Sequence, residues 1–286
     1  MKKSLVFFGT EDFSAPSLRS LIEDGWPIIA VVTRPDSRRG RGQLLSEPAV
    51  KKLALEHGLA VLQPKTKQDI LAELPEAEAG VLVAYGQIVP QEVIDHFAKG
   101  IINLHPSLLP KYRGPAPIEA AILNGDKETG LSLMALSSEM DAGPVFVQEE
   151  LELTGAETQP QLYERLADLG ASLLAKNLPL ILTGQLKPKQ QDDAAASYTK
   201  LVAKQDGLLD TSRPAEELER KVRAFASWPR CRISIGSQEV VVTKARVAAG
   251  PTDGELILEC SPGYLEILEL IVPGRKPVSG KQFLGR

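Results

Sequence analysis

The stretch GVLVAYGQIVPQEVIDHFAKGIINLHP, residues 80–106, gives the clearest indication of how this chain folds. It contains two apolar runs of strand length, GVLVAYG and GIINLHP, and between them a segment near Gln91–Phe97 whose pattern predicts a helix. A strand, a helix and a second strand in this order are typical of a parallel pair joined by a crossover helix. The stretch therefore predicts an α/β fold.

The same alternation extends on both sides of this stretch. Before it come the strand-like runs SLVFFG, IIAVVT and LAVLQP, and after it comes GLSLMALS. Helical patterns fall between them near Glu47–His57 and Gln68–Leu74, and a long one covers Gln159–Leu182. We therefore predict a first domain over residues 1–184, with a Rossmann-like parallel sheet and helices on both of its faces.

The remaining third of the chain has a different pattern. Residues 185–205 are polar, show no clear periodicity and are interpreted as a linker. A short helix is predicted in TSRPAEELERKVRAF, followed by the alternating segments CRISI, EVVVTKARV, GELILEC and YLEILELIV. Residues 206–286 are therefore predicted to form a small antiparallel β-barrel domain, similar to an OB fold.

Composition excludes several classes of protein. No apolar run approaches the roughly 18 residues of a membrane span, and the short apolar start gives no export signal. With only two cysteines, the chain is expected to be cytoplasmic and free of disulfides. The three histidines and two cysteines lack metal-binding spacing, so no metal site is expected.

The chain has a net charge of −4 but contains one basic cluster, RPDSRRGR at residues 34–41. Such a cluster is usually a solvated face.

The candidate catalytic residues lie at the end of the second apolar run. Asn103 and His105 are two positions apart, so in a strand they point the same way, at the edge where ligands bind in open α/β sheets. A carboxamide can donate to a developing oxyanion, and an imidazole can take a proton near neutral pH. Asp141, after GLSLMALS, is expected beside His105 if that strand is a parallel neighbour. Ser107 lacks the Gly-x-Ser-x-Gly elbow of a nucleophile, so the attacking group is expected to come from a substrate.

Two longer motifs reveal a resemblance. NLHPSLLPKYRGPAP (residues 103–117) and ILNGDKETGLSLMALSSEMDAGPV (residues 122–145) closely resemble the 10-formyltetrahydrofolate-dependent formyltransferases. The resemblance implies that 10-formyltetrahydrofolate is the co-substrate and that Asn103, His105 and Asp141 are the catalytic trio. It also implies a folate site made by SLLP, which is Ser107, Leu108, Leu109 and Pro110, and by the pterin loop residues Tyr85, Gly86, Gln87 and Ile88.

Within this family, the chain is most similar to the members that act on methionyl initiator tRNA. FFGTEDFSAPSL, the arginine-rich segment and the C-terminal domain all resemble those members. The resemblance implies that Arg38, Arg39 and Arg41 contact the tRNA, that the C-terminal domain binds it, and that residues 111–117 form a rim facing its acceptor end. The chain ends soon after SGKQFLGR, which predicts that a short tail of the family is missing and that tRNA binding is weaker. A monomer is expected.

The reaction implied is direct formyl transfer to the α-amino group of methionyl initiator tRNA, without a covalent enzyme intermediate. Asn103 and protonated His105 would stabilise the oxyanion of a tetrahedral intermediate, while Asp141 orients His105 and relays the amine proton. One alternative is the same chemistry on an amino-sugar nucleotide, since such enzymes share the trio and SLLP. Another is a folate- or RNA-binding protein without catalysis.

Overall fold

The structure is a computed structural model that describes residues 2–39 and 44–285. In chain order its first elements are β1 (Leu5–Gly9), α1 (Ala15–Glu23), β2 (Ile28–Val32), β3 (Ser37–Arg39), β4 (Leu44–Ser46), α2 (Ala49–Glu56), β5 (Val61–Leu62), α3 (Lys67–Glu73), β6 (Ala79–Val83), α4 (Gln91–Asp95) and β7 (Ile101–His105). They are followed by α5 (Pro117–Asn124), β8 (Glu128–Ala135), β9 (Val145–Glu152), α6 (Gln159–Leu182), α7 (Ala215–Ala224), β10 (Cys231–Ile235), β11 (Gln238–Ala248), β12 (Ile257–Glu259), β13 (Tyr264–Ile271), β14 (Val278–Ser279) and α8 (Gly280–Leu284).

The chain divides into two compact units. The first comprises Met1–Gly114, Gly130–Leu151 and Tyr163–Tyr198, and the second comprises Pro115–Thr129, Glu152–Leu162 and Thr199–Arg286. The polar segment at 185–198, interpreted from the sequence as part of a linker, is therefore a component of the first unit.

The first unit is built on a seven-stranded sheet with the order β5-β2-β1-β6-β7-β8-β9. The strands from β5 to β7 pair in parallel, as their apolar runs and intervening helices predict. These central strands are buried along almost their whole length, which is why they read as continuous apolar runs and not as alternating ones. The predicted α/β, Rossmann-like fold class is confirmed.

One expectation about the sheet is wrong. β8 runs antiparallel to β7, pairing His105 with Ser132 and Ile102 with Ala135. A parallel pair needs a crossover helix that packs back on the sheet, whereas α5, the helix between these two strands, is part of the second unit. The direction of β8 changes how Asp141 reaches the site.

The helix α6 supports β7 from behind. A Cβ atom on Gly170 of α6 would lie 2.6 Å from Leu104 Cδ2, so only glycine allows the two elements to approach this closely. Leu104 lies between Asn103 and His105 and points to the opposite face of the sheet. The packing of α6 therefore fixes the strand that carries the two candidate catalytic residues.

The second unit contains α5, α7 and an antiparallel sheet. Its strand order is β10-β11-β13-β12, with β14 paired to β13. The long pair β11–β13 has register shifts around Lys244, where a bulge increases the local twist and curls the sheet. The predicted β-barrel domain is confirmed in this antiparallel, curled form, as a half-barrel.

Candidate active site

Asn103 and His105 occupy the carboxyl end of β7, next to the central strand β6. Each is only 5% exposed, and both project to the face opposite Leu104. No side-chain hydrogen bond of Asn103 is observed among the residues that the structure describes. Its carboxamide is therefore available to donate a hydrogen bond to a bound molecule.

The ring of His105 is oriented by a backbone carbonyl. Its Nε2 atom lies 3.0 Å from the Tyr112 oxygen. A carbonyl oxygen can only accept, so Nε2 carries a hydrogen and donates it. The other ring atom, Nδ1, is left facing Asp141, with 3.7 Å between Nδ1 and Asp141 Oδ1. Nδ1 is therefore the ring nitrogen that can exchange a proton at this site.

Asp141 is held in place by the loop that follows SLLP. Its Oδ2 atom accepts a hydrogen bond of 2.8 Å from the Gly114 N–H. The backbone of Asp141 has φ 49°, in the left-handed region, and Ala84 and Tyr112 in the same unit have φ 45° and 60°. Non-glycine residues in this region are strained and concentrate at functional sites. All three lie in the loops at this edge of the sheet.

Asp141 reaches His105 because the chain turns back after β8. The strand runs antiparallel to β7 and so ends at Ala135, opposite Ile102 and away from His105. The return begins where Ala135 N–H donates to the Pro144 carbonyl over 2.9 Å. Gly143 permits the tight approach, since a Cβ there would lie 1.9 Å from the Ala135 oxygen. The predicted proximity of Asp141 to His105 is observed, but it results from this return loop and not from a parallel strand.

The SLLP turn is held by side chains from the two neighbouring strands. Ser132 of β8 donates to the Ser107 carbonyl over 2.7 Å and accepts from the Leu109 N–H over 3.1 Å. Gln148 of β9 donates to the Ser132 hydroxyl and to the Leu109 carbonyl, both over 2.9 Å. The single hydroxyl of Ser132 thus uses its donor and both of its acceptor positions. Ser132 and Gln148 fix the backbone of the turn.

Ser107 itself is a structural residue. Its hydroxyl donates to the Lys111 carbonyl over 2.6 Å, and the residue is fully buried. This agrees with the absence of a nucleophile elbow in the sequence. The trio therefore suits attack on a carbonyl carbon by a substrate's own amine.

The loop of residues 85–88 follows β6. The Tyr85 ring packs edge-on against Phe8 in the core, with 5.7 Å between the ring centroids. Burial raises the pKa of the Tyr85 phenol to about 12, and Arg34 opposes this shift. Its hydroxyl has no partner among the described residues. Gly86 has φ 74°, and Ile88 is 68% exposed, so the loop presents backbone and one apolar side chain.

Two of the three predicted tRNA-binding arginines lie in the described residues. Arg38 and Arg39 belong to β3, which pairs with β4 in an antiparallel ladder. Arg41 lies outside the described residues.

Arg113 does not form the exposed rim that was expected of residues 111–117. It is only 2% exposed and donates to Gln191, Asp193 and Tyr198. Sequence reasoning missed Arg113 and Gln191 as site residues, along with Ser132 and Gln148. Ser132 alone left a signal, as a polar residue inside the apolar run GLSLMALS.

No cluster of three or more His, Cys, Asp or Glu side chains is placed to hold a metal ion among the residues that the structure describes. No helix within them has the length and apolar character to cross a membrane.

Two family models match this chain. The model described as "Formyl transferase" matches residues 2–178, and "Formyl transferase, C-terminal domain" matches residues 201–286.

Curated relatives are similar along nearly the whole chain. The methionyl-tRNA formyltransferase of Pelobacter propionicus is 37% identical over 295 residues, covering 99% of this chain and 92% of the relative. That of Stutzerimonas stutzeri is 39% identical over 287 residues, covering 96% of this chain and 91% of the relative.

Solved structures share the fold at lower identity. An N-formyltransferase from Helicobacter canadensis has a TM-score of 0.72 and 19% identity, covering 93% of this chain and 98% of that one. A methionyl-tRNA formyltransferase from Clostridium thermocellum has a TM-score of 0.61 and 16% identity, covering 94% of this chain and 99% of that one.

Proposed function

Because the chain belongs to the methionyl-tRNA formyltransferase family, we propose that Asn103, His105 and Asp141 carry out the formyl transfer that it catalyses. The chain is a formyltransferase that formylates the methionine of initiator tRNA in translation initiation. Identity of 37–40% along almost the full length of the relatives carries this conclusion. Members of the family use folate derivatives, and we propose 10-formyltetrahydrofolate as the co-substrate here.

The roles of the trio follow from the positions of their polar atoms. The folate supplies an activated formyl group on N10, and the α-amino group of methionine attacks its carbon. The Asn103 carboxamide donates to the formyl oxygen as negative charge develops there. His105 in its protonated form stabilises the same charge through Nδ1, because Nε2 is occupied by the Tyr112 carbonyl. Asp141 accepts the proton that the amine loses and relays it towards the departing N10 nitrogen.

We propose that SLLP and residues 85–88 line the folate site. Ser132 and Gln148 fix the backbone of Ser107 and Leu109, which leaves the turn rigid before a ligand binds. The exposed Ile88 side chain and the left-handed Gly86 suit contact with a flat aromatic ring system such as a pterin.

We propose that the tRNA is held by Arg38, Arg39, Arg41 and the second unit. Three cations of the second unit, two in β11 and one in α8, suggest that the two regions contribute differently to tRNA affinity. Arg246, Lys281 and Lys244 lie 2.8, 2.6 and 3.5 Å from glutamate oxygens of the same unit. Cations already paired with carboxylates release fewer counterions on binding a phosphate backbone. Arg38, Arg39 and Arg41 are therefore expected to supply most of the salt-dependent affinity.

The organisation of the protein is part of the same proposal. Residues 1–184 would form the catalytic domain and residues 206–286 the tRNA-binding domain. Residues 185–205 would connect them, with the part up to Tyr198 packed in the first unit. The matches at residues 2–178 and 201–286 support these boundaries. We propose a cytoplasmic monomer.

The two alternative functions are not favoured. Solved sugar N-formyltransferases reach a TM-score of 0.72 but only 19–20% identity, which is a likeness of fold alone. A binding protein without catalysis would have no use for an imidazole between a carbonyl and a carboxylate.

A direct assay tests the substrate. The purified protein is incubated with 10-formyltetrahydrofolate and either methionyl initiator tRNA or an amino-sugar nucleotide, and the products are identified by mass spectrometry. We expect a gain of one formyl group on the methionine alone. Formylation of the sugar nucleotide only would refute the assignment, and no product with either acceptor would favour a binding protein.

A further inference from the structure

The segment predicted to be a linker lies against the loops of the catalytic site. Lys189 forms an antiparallel bridge with Val145, at the start of β9. The Ser197 carbonyl accepts a hydrogen bond of 2.9 Å from the Arg113 N–H. Between these two anchors the chain passes Gln191 and a short 3-10 helix, Asp193–Ala195. Backbone hydrogen bonds at both ends therefore hold this polar segment in place, although its sequence has no apolar periodicity that would predict packing.

Gln191 is the residue of this segment that reaches the catalytic loop. Its Nε2 atom donates to the carbonyls of Asp141 and Gly143, both over 2.7 Å. Its Oε1 atom accepts from Nε and Nη2 of Arg113, over 3.0 and 2.9 Å. The amide therefore uses both of its hydrogens and both of its lone pairs. It ties the left-handed turn at Asp141 to a buried guanidinium.

Arg113 stands between the two residues that orient the catalytic pair. Its predecessor, Tyr112, offers the carbonyl that His105 donates to, and its successor, Gly114, donates to the Asp141 carboxylate. The Asp193 carboxylate, 2.7 Å from Nη2, balances the buried charge. A buried guanidinium with this many bonds is rigid, so it provides a firm anchor for Gln191.

We propose that Gln191 is a positioning residue for the catalytic carboxylate, and that Arg113 anchors it. Gln191 holds the backbone of Asp141 in a strained left-handed conformation, which the loop would otherwise relax. The carboxylate must stay within a narrow distance of His105, since a displacement of about 1 Å can cost roughly 100-fold in rate. This inference rests on the catalytic roles proposed above for His105 and Asp141.

Gln191→Glu removes the hydrogen bonds that the amide donates and keeps those that it accepts. A carboxylate at this position still accepts from Arg113, but it has no hydrogens to donate to the Asp141 and Gly143 carbonyls and repels them instead. Gln191→Met removes both sets of bonds at similar volume. The matched control is Gln190→Glu, the same change at the preceding, exposed position.

The expected result is a selective loss of turnover. In Gln191→Glu, kcat falls roughly 10- to 100-fold, while the KM values for both substrates stay within about twofold, because neither binding surface is touched. Gln190→Glu keeps the parent kcat. A rise in KM with unchanged kcat, or a kcat within about twofold of the parent in both Gln191 variants, would overturn the proposal.

A double variant shows whether Gln191 acts through Asp141. If it does, adding Gln191→Glu to Asp141→Asn should change kcat by less than about twofold, since the group being positioned is already gone. A further loss equal to that of the single variant would instead mean a general structural role. Asp141→Asn alone also tests the premise. Normal turnover in that single variant would refute the proposed role of Asp141, and the positioning proposal with it.

Discussion

The most informative perturbation is Ser132→Ala, because this one hydroxyl makes three of the hydrogen bonds that fix the SLLP turn and its support. Ser132 is fully buried, and its three hydrogen bonds involve the Ser107 carbonyl, the Leu109 N–H and Gln148. Alanine fits the space without a clash. The change therefore tests the hydrogen bonds and not the packing.

The magnitude follows from the groups left without partners. Gln148 keeps its bond to the Leu109 carbonyl, so the main losses are one buried carbonyl and one buried N–H. Each costs about 1–3 kcal/mol when unsatisfied, and we expect about 3 kcal/mol in total after the turn relaxes. A relaxed turn must be reordered when folate binds, so the Kd for folate should rise about 10- to 100-fold.

Two measurements on the full chain check this. Trp26 is buried in the first unit, and Trp228, in the second, is 55% exposed. In a Trp228→Phe background, tryptophan fluorescence during urea unfolding therefore reports on the first unit alone. Calorimetric titration gives the Kd for folate in the same background. Ser138→Ala, an exposed hydroxyl in the loop after β8, is the control.

Ser132→Ala would refute this role of the hydroxyl if it behaved like its control. Exposed substitutions change the free energy of unfolding by about 0.5 kcal/mol or less. A change of that size in Ser132→Ala, with an unaltered Kd for folate, would mean that the turn does not depend on this hydroxyl.

Three further predictions concern catalysis, tRNA binding and stability. His105→Ala should lower kcat by about 100- to 10,000-fold with little change in the Kd for folate; unchanged turnover in rapid-quench assays would remove His105 from the mechanism. Arg41→Ala should raise the KM for tRNA and flatten its dependence on salt by about one phosphate contact, and a parental salt slope would contradict this. Burial raises the pKa of Glu157, but the hydrogen bonds donated to its carboxylate outweigh burial and lower that pKa to about 2. The resulting stabilisation of the folded protein, about 3 kcal/mol, is fully present above the ordinary pKa of 4.5 and is lost as the pH falls towards 2. Urea unfolding measured at a series of pH values checks this, and the free energy of unfolding of Glu157→Gln should not show this decrease.

Several features of the fold and site could be predicted because they depend on neighbours in the chain. The helix at Gln159–Leu182 is observed with the predicted bounds, since its apolar spacing is a local property. The helix predicted near Glu47–His57 is shorter, at Ala49–Glu56, because Pro48 precedes its first turn. The shared face of Asn103 and His105 follows from the two-residue period of a strand.

The direction of β8 and the supporting residues could not be predicted. Whether GLSLMALS pairs parallel or antiparallel depends on where the intervening helix packs, and the sequence of the strand is compatible with either. Gln191 lies 50 residues from Asp141 and 78 from Arg113, so no local pattern links them. In the sequence it is one polar residue in a polar segment.

The class of fold, the shared face of Asn103 and His105, and the family can all be read from the sequence, because periodicity and contiguous motifs are carried by residues close in the chain. The return of Asp141 to His105, the side chains that fix SLLP, and the support of the catalytic loop by a segment without periodicity are visible only in the folded protein. These features depend on hydrogen bonds between distant residues, which form only when packed elements bring donor and acceptor within about 3 Å of each other.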